Sequence, residues 1–115
     1  MSTYSGSCHC GSVEFQVDTD LGDPVRCNCS FCIRRGALLQ KVSANLFRVT
    51  RGDESLTRYG SRDFSDHYFC SQCGIHTFTR SRRNSENAVV VSVACLNGVD
   101  PESLVPRLFD GAKLL

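Results

Sequence analysis

Three cysteines stand within six residues at Cys27-Asn28-Cys29-Ser30-Phe31-Cys32, and two closely spaced pairs bracket them, Cys8 with Cys10 and Cys70 with Cys73. Thiolates at such spacings suit a borderline-soft metal, zinc above all, because a tight loop can bring two or three sulfurs onto one ion at bonds of about 2.3 Å. The bracketing pairs together offer four sulfurs, a closed tetrahedral set. The central stretch offers three, which leaves one position for water, a substrate thiol or another side chain. An open position on a metal is where ligand binding and chemistry happen. Spacing also permits another partition. Sixteen residues lie between Cys10 and Cys27, within zinc-ribbon range, so Cys8, Cys10, Cys27 and Cys29 could close one site.

Each bracketing pair is followed by glycine, Gly11 after Cys10 and Gly74 after Cys73. Glycine tolerates the backbone angles of a tight knuckle whose amides turn toward sulfur. Redox dithiols are the rival reading, since Cys29 to Cys32 and Cys70 to Cys73 have C-x-x-C spacing. Neither pair sits at the helix start of a strand–helix–strand pattern, which favours metal. Cys95 could supply a fourth ligand to the central three. It ends the apolar run Val89-Val90-Val91-Ser92-Val93, where a free cysteine behaves as a small hydrophobe. With so many thiolates at hand, His9 is read as a surface residue and His67 and His76 as hydrogen-bonding residues. Arg34 and Arg35 follow the central cysteines directly and are candidate substrate-binding residues, because a guanidinium fork suits a carboxylate. Arg80, Arg82 and Arg83 form a second such group, and for both groups a solvated face is the plain alternative.

Other chemistries find no support. The zinc-deaminase signature fails, since His9 is followed by Cys10-Gly11 and Phe69 precedes Cys70. There is no H-E-x-x-H, P-loop or G-x-S-x-G, and the cysteine spacing is not that of a ferredoxin. A net charge of +1 argues against a nucleic-acid or membrane-surface role, and thiolates on a metal would make the balance negative. The first residues have neither a basic nor an apolar signal region, and no apolar run reaches transmembrane length. A cytoplasmic location is therefore expected, where the cysteines would remain reduced.

The elements that must position these residues are short. At 115 residues the chain is expected to form one domain, 1–115, with a modest core. Ser12 to Asp18 alternates apolar and polar as a half-buried strand does, and Val25 to Cys27 leads as an extended run into the central cysteines. Ser30 is placed to cap a turn of helix that Gly36 ends. Further strands are expected over 37–42, 46–50, 56–59, 67–70, 75–79, 88–94 and 105–109. Asp100-Pro101 starts one helical turn. Many short strands and very little helix imply an antiparallel, mainly β domain.

Three stretches together carry a family resemblance: Gly6-Ser7-Cys8-His9-Cys10-Gly11-Ser12-Val13, Cys27 to Cys32 with Arg34-Arg35-Gly36-Ala37, and His67-Tyr68-Phe69-Cys70-Ser71-Gln72-Cys73-Gly74-Ile75-His76. In that order and separation the sequence resembles the glutathione-dependent formaldehyde-activating enzyme family, which also includes centromere protein V. The resemblance implies an Mss4-like fold of antiparallel sheets around zinc. It implies two zinc ions, a structural one on Cys8, Cys10, Cys70 and Cys73 and a catalytic one on Cys27, Cys29 and Cys32. The activity it implies is that of a carbon–sulfur lyase joining glutathione and formaldehyde as S-hydroxymethylglutathione. A non-catalytic zinc- or thiol-binding module, or a redox sensor in which the central cysteines oxidise, is the competing expectation.

Overall fold

A computed structural model describes residues 1–115. The molecule is mainly β, with ten strands in two sheets and two single-turn helices. In chain order the elements are β1 (Ser2–Ser7), β2 (Glu14–Thr19), β3 (Pro24–Cys27), α1 (Cys32–Arg35), β4 (Leu39–Ser43), β5 (Phe47–Arg51), β6 (Leu56–Arg62), β7 (Ser65–Cys70), β8 (His76–Ser81), β9 (Ala88–Ser92), β10 (Arg107–Phe109) and α2 (Gly111–Leu114). The smaller sheet runs β1-β2-β5 and the larger runs β10-β3-β4-β9-β8-β7-β6. All pairings are antiparallel except β10 with β3, which run parallel.

Alternation decides which way each strand faces. In β2, Phe15, Val17 and Thr19 are buried while Glu14, Gln16 and Asp18 are not. Phe15 and Val17 meet Phe47 from β5, and all three pack onto Val42, Phe78, Val89 and Val91 of the large sheet. The two layers are joined by aromatic contact, with ring centroids 5.4 Å apart for Phe15–Phe47 and 4.5 Å for Phe47–Phe78. Those aromatic contacts are the packed centre of the core.

The opposite face of the large sheet carries the site. Lys41 pairs with Val90, Val90 with Thr79, Thr79 with His67, and His67 with Tyr59. Because side chains alternate with period two, this cross-strand row lies on one face while its neighbours Val89, Val91 and Phe78 fill the core behind. Strand β9 is therefore apolar on both faces, which explains its unbroken β-branched run.

Some details differ from the sequence expectation. Ser30 does not cap α1; Phe31 occupies the N-cap position and no side chain bonds there, while the Ser30 carbonyl instead accepts from Arg34 Nη1 at 2.5 Å. Gly36 ends the turn in the left-handed conformation, as a helix C-terminus requires. At 101–103 a 3-10 turn forms with the Asp100 side chain accepting from the Glu102 amide. β1 and α2 had no periodic apolar signal and were not expected. No helix is long and apolar enough to cross a membrane.

Candidate functional site

The first cluster joins the two sheets. Cys8 and Cys10 lie in the β1–β2 turn, while Cys70 ends β7 and Cys73 lies in the β7–β8 turn. Both turns are built alike. The Gly11 amide donates to the Cys8 carbonyl at 3.3 Å, and the Gly74 amide to the Cys70 carbonyl at 2.8 Å. The two glycines have φ of 79° and 77°, angles that a side chain would strain. The turned amides reach sulfur: Val13 N lies 3.4 Å from Cys8 Sγ and Gln72 N 3.3 Å from Cys70 Sγ. Amides from Cys10 and then Ile75 pull the Cys73 thiol down to about 6, so its thiolate is available at neutral pH.

All four sulfurs lie within 4.8 Å of one another, and Cys8–Cys10 and Cys10–Cys70 are each separated by 3.7 Å. A tetrahedron with metal–sulfur bonds of 2.3 Å has an edge of about 3.8 Å. Donor type, number and spacing thus fit zinc. The grouping also decides between the partitions that spacing left open, since Cys8 and Cys10 stand with Cys70 and Cys73.

The second cluster groups Cys27, Cys29 and Cys32, whose sulfurs again lie within 4.8 Å. Cys27 ends β3, Cys29 is in the following loop and Cys32 opens α1. Amides again face sulfur, with Cys29 N 3.4 Å from Cys27 Sγ and Cys32 N 3.4 Å from Cys29 Sγ. Burial, reinforced by the neighbouring Cys29 and Cys27 sulfurs, pushes the Cys32 thiol up to about 12, and only Arg35 opposes this. Three crowded sulfurs cannot all ionise without a cation among them, and a divalent ion reverses that balance. This donor set fits a metal with three protein ligands. Cys95 belongs to neither cluster; it packs at the edge of the core and its Sγ lies 3.6 Å from the His76 carbonyl.

The three cysteines line a cavity of about 290 Å³ on the site face of the large sheet. The C-terminal segment frames one side. Asn28 N donates to the Phe109 carbonyl at 3.2 Å, Asn28 Nδ2 to Asp110 Oδ1 at 3.1 Å, and Ala112 N to Asn28 Oδ1 at 2.9 Å. Gly111 follows this latch so closely to the cysteines that a Cβ there would stand 2.5 Å from Cys27 Sγ.

The two arginines after the cysteines part company. Arg34 is exposed and does not line the cavity. Arg35 does: its Nη2 donates to Cys32 Sγ at 3.4 Å, its Nη1 to His76 Nδ1, and its guanidinium lies 4.4 Å above the Phe31 ring. Sequence reading did not find what lies behind it. Arginine has donors only, so His76 Nδ1 accepts and its proton is on Nε2, which lies 2.9 Å from Thr79 Oγ1. Buried Thr79 then has one acceptor for its own proton, His67 Nδ1 at 2.7 Å. That leaves His67 Nε2–H to donate to Ser61 Oγ at 3.0 Å. The chain of bonds runs one way, from the Arg35 cation to a hydroxyl in the cavity. Burial first and Arg35 second push His67 down to about 4 and His76 to about 3, so both rings are neutral at pH 7. His67 also stacks on Phe31 with centroids 3.8 Å apart. Neither histidine is grouped with a metal cluster, in agreement with the hydrogen-bonding role expected of them.

Comparison with known proteins adds identity to this geometry. The family model described as glutathione-dependent formaldehyde-activating enzyme matches residues 3–109. Among solved structures, a Rhodobacter sphaeroides protein is 42% identical with a TM-score of 0.83, the match covering 90% of this chain and 97% of that one.

Proposed function

The chain belongs to the glutathione-dependent formaldehyde-activating enzyme family, and from that premise we propose that residues 1–115 act as one zinc-dependent carbon–sulfur lyase domain that binds a thiol such as glutathione. Cys8, Cys10, Cys70 and Cys73 would hold a structural zinc, and Cys27, Cys29 and Cys32 a second zinc with a position left for the substrate. The observation that carries the reading is the contrast between a closed set of four sulfurs joining two sheets and a set of three opening on a cavity.

Bound at the three cysteines, zinc would supply a positive centre that favours the thiolate form of a ligand thiol. The chain's own residues do the rest. The Cys29 and Cys32 amides hold the Cys27 and Cys29 sulfurs in place. Arg35 sets a positive charge beside Cys32, opposing the crowding of negative sulfurs. Phe31 and Val90 give the cavity an apolar lining near the cysteines, which limits water there. In the reaction the thiol would give up its proton and its sulfur add to the aldehyde carbon, so that a carbon–sulfur bond forms, the carbonyl π bond breaks and the oxygen takes up a proton in place of the one the thiol released.

Two zinc ions per chain and glutathione-dependent protection of one of them from chelator are expected. A single zinc, or loss rates unaffected by glutathione, would contradict the reading.

A further inference from the structure

We propose that the wall of the cavity formed by Ser61, Arg62 and Arg83 is a carboxylate-binding subsite that adds affinity for thiols carrying anionic groups. This rests on the reading of Cys27, Cys29 and Cys32 as a thiol-binding centre, and it moves the carboxylate contact away from Arg34 and Arg35.

Five basic side chains and two acidic ones line the cavity: Arg35, Lys41, Arg62, Arg83 and Arg107 against Asp23 and Glu86. The acids are already matched. Asp23 receives Arg107 Nε and Nη2 at 3.0 Å each, and Glu86 pairs with Lys41. Arg35 is also committed, to Cys32, His76 and Phe31, and its remaining nitrogen, Nε, is buried. Arg62 and Arg83 line the cavity with no carboxylate partner. Two unmatched guanidinium groups facing one concave space are a receptor for oxyanions, since each fork can donate two parallel bonds.

Backbone irregularity puts each of them there. The β6–β7 register shifts between Tyr59 and Arg62, and such a bulge re-aims the side chains that follow. Ser61 and Arg62 both line the cavity as a result. Ser61 Oγ accepts from His67, so its own proton is free to be donated, at the end of the bond chain that starts on Arg35. Arg83 lies in a turn where Asn84 and Ser85 have φ of 57° and 61°, unfavourable for side-chain-bearing residues. Its neighbour Arg82 ties that turn down through Asp66 and the Asp63 carbonyl, while Arg83 rests on Phe109 and points to the cavity.

S-methylglutathione, which keeps both carboxylates but has no free thiol, tests this wall without the cysteines. Titration calorimetry should show saturable binding to the zinc-loaded protein, weakened about tenfold by Arg62→Gln and by Arg83→Gln. The dimethyl ester of the same compound should bind the unmodified protein about tenfold more weakly, which gives a readout that no variant's folding can disturb. Absence of binding, equal affinity for the ester, or unchanged affinity in both variants would overturn the proposal. Binding of 2-mercaptoethanol, a neutral thiol, depends on the cysteines alone. If it binds while S-methylglutathione and its ester are indistinguishable, the subsite fails and the thiol centre stands. If S-methylglutathione discriminates and 2-mercaptoethanol does not bind, the subsite stands and the thiol centre fails.

Discussion

The sulfurs of Cys10 and Cys70 stand 3.7 Å apart although they lie sixty positions apart in the chain. This contact fastens the three-stranded sheet to the far end of the seven-stranded one. No sulfur of the second cluster makes so distant a connection, since Cys27, Cys29 and Cys32 lie within six consecutive residues. The two clusters therefore differ in what they do for folding.

Removing one ligand from each cluster exposes that difference. Cys70→Ala should unfold the domain or sharply lower its yield, because a zinc site contributes roughly 10–16 kcal/mol, as much as the net stability of a domain. Cys29→Ala should leave a folded protein that has lost one zinc. Circular dichroism with metal analysis checks both, and equal destabilisation would refute the division.

Thr79 joins two buried imidazoles through one hydroxyl. Thr79→Val keeps the shape and removes the bridge, leaving His67 Nδ1 and His76 Nε2 without their partner. The cost should be about 1–3 kcal/mol for each unpaired group, measured by urea unfolding, with metal content unchanged. Unaltered stability would show that the bridge carries no weight.

The histidines also determine a pH response. His67 and His76 are held near 4 and 3, against 6.5 for an ordinary histidine, so below pH 6.5 the unfolded chain binds more protons than the folded one. Their contribution to stability is full above pH 6.5 and declines as pH falls through that value, toward about 4 for His67 and about 3 for His76. Ring resonances of both should remain those of neutral imidazole from pH 7.5 to about 5. A titration midpoint near 6.5 for either ring would contradict the buried network.

Gly111 tests how closely the C-terminal helix guards the open cluster. The methyl of Gly111→Ala would collide with Cys27 Sγ and crowd Cys29 Cβ at 3.0 Å. Zinc affinity at Cys27, Cys29 and Cys32 should drop about tenfold or more, while the other zinc is unaffected. Equal retention of both metals in competition with a chelator would show that the helix yields freely.

Much of this was legible from local pattern. Alternation in β2, the β-branched run of β9 and the knuckle glycines each announced themselves within a few residues, and the cysteine clusters were visible as spacing. What could not be read is set by register between distant strands. Thr79 looks like any strand threonine until pairing with Val90 and His67 puts it on the site face. Ser61 and Arg62 reach the cavity through a bulge that has no distinctive residue pattern. Arg83 was visible as one of three basic residues, but not the strained turn that takes it alone, without Arg80 or Arg82, to the cavity. Arg34 and Arg35 looked equivalent because adjacency in sequence hides the direction each takes from a one-turn helix.

The central claim is that Cys27, Cys29 and Cys32 form a metal site with a position for a ligand thiol, and cobalt substitution reads it directly. Cobalt(II) replacing zinc absorbs through its bonds to thiolate, with intensity that grows with the number of sulfurs. Addition of glutathione should raise this absorbance saturably in the unmodified protein and leave it unchanged in Cys29→Ala, whose remaining cobalt has its four sulfurs already. A spectrum that glutathione does not alter would contradict the account.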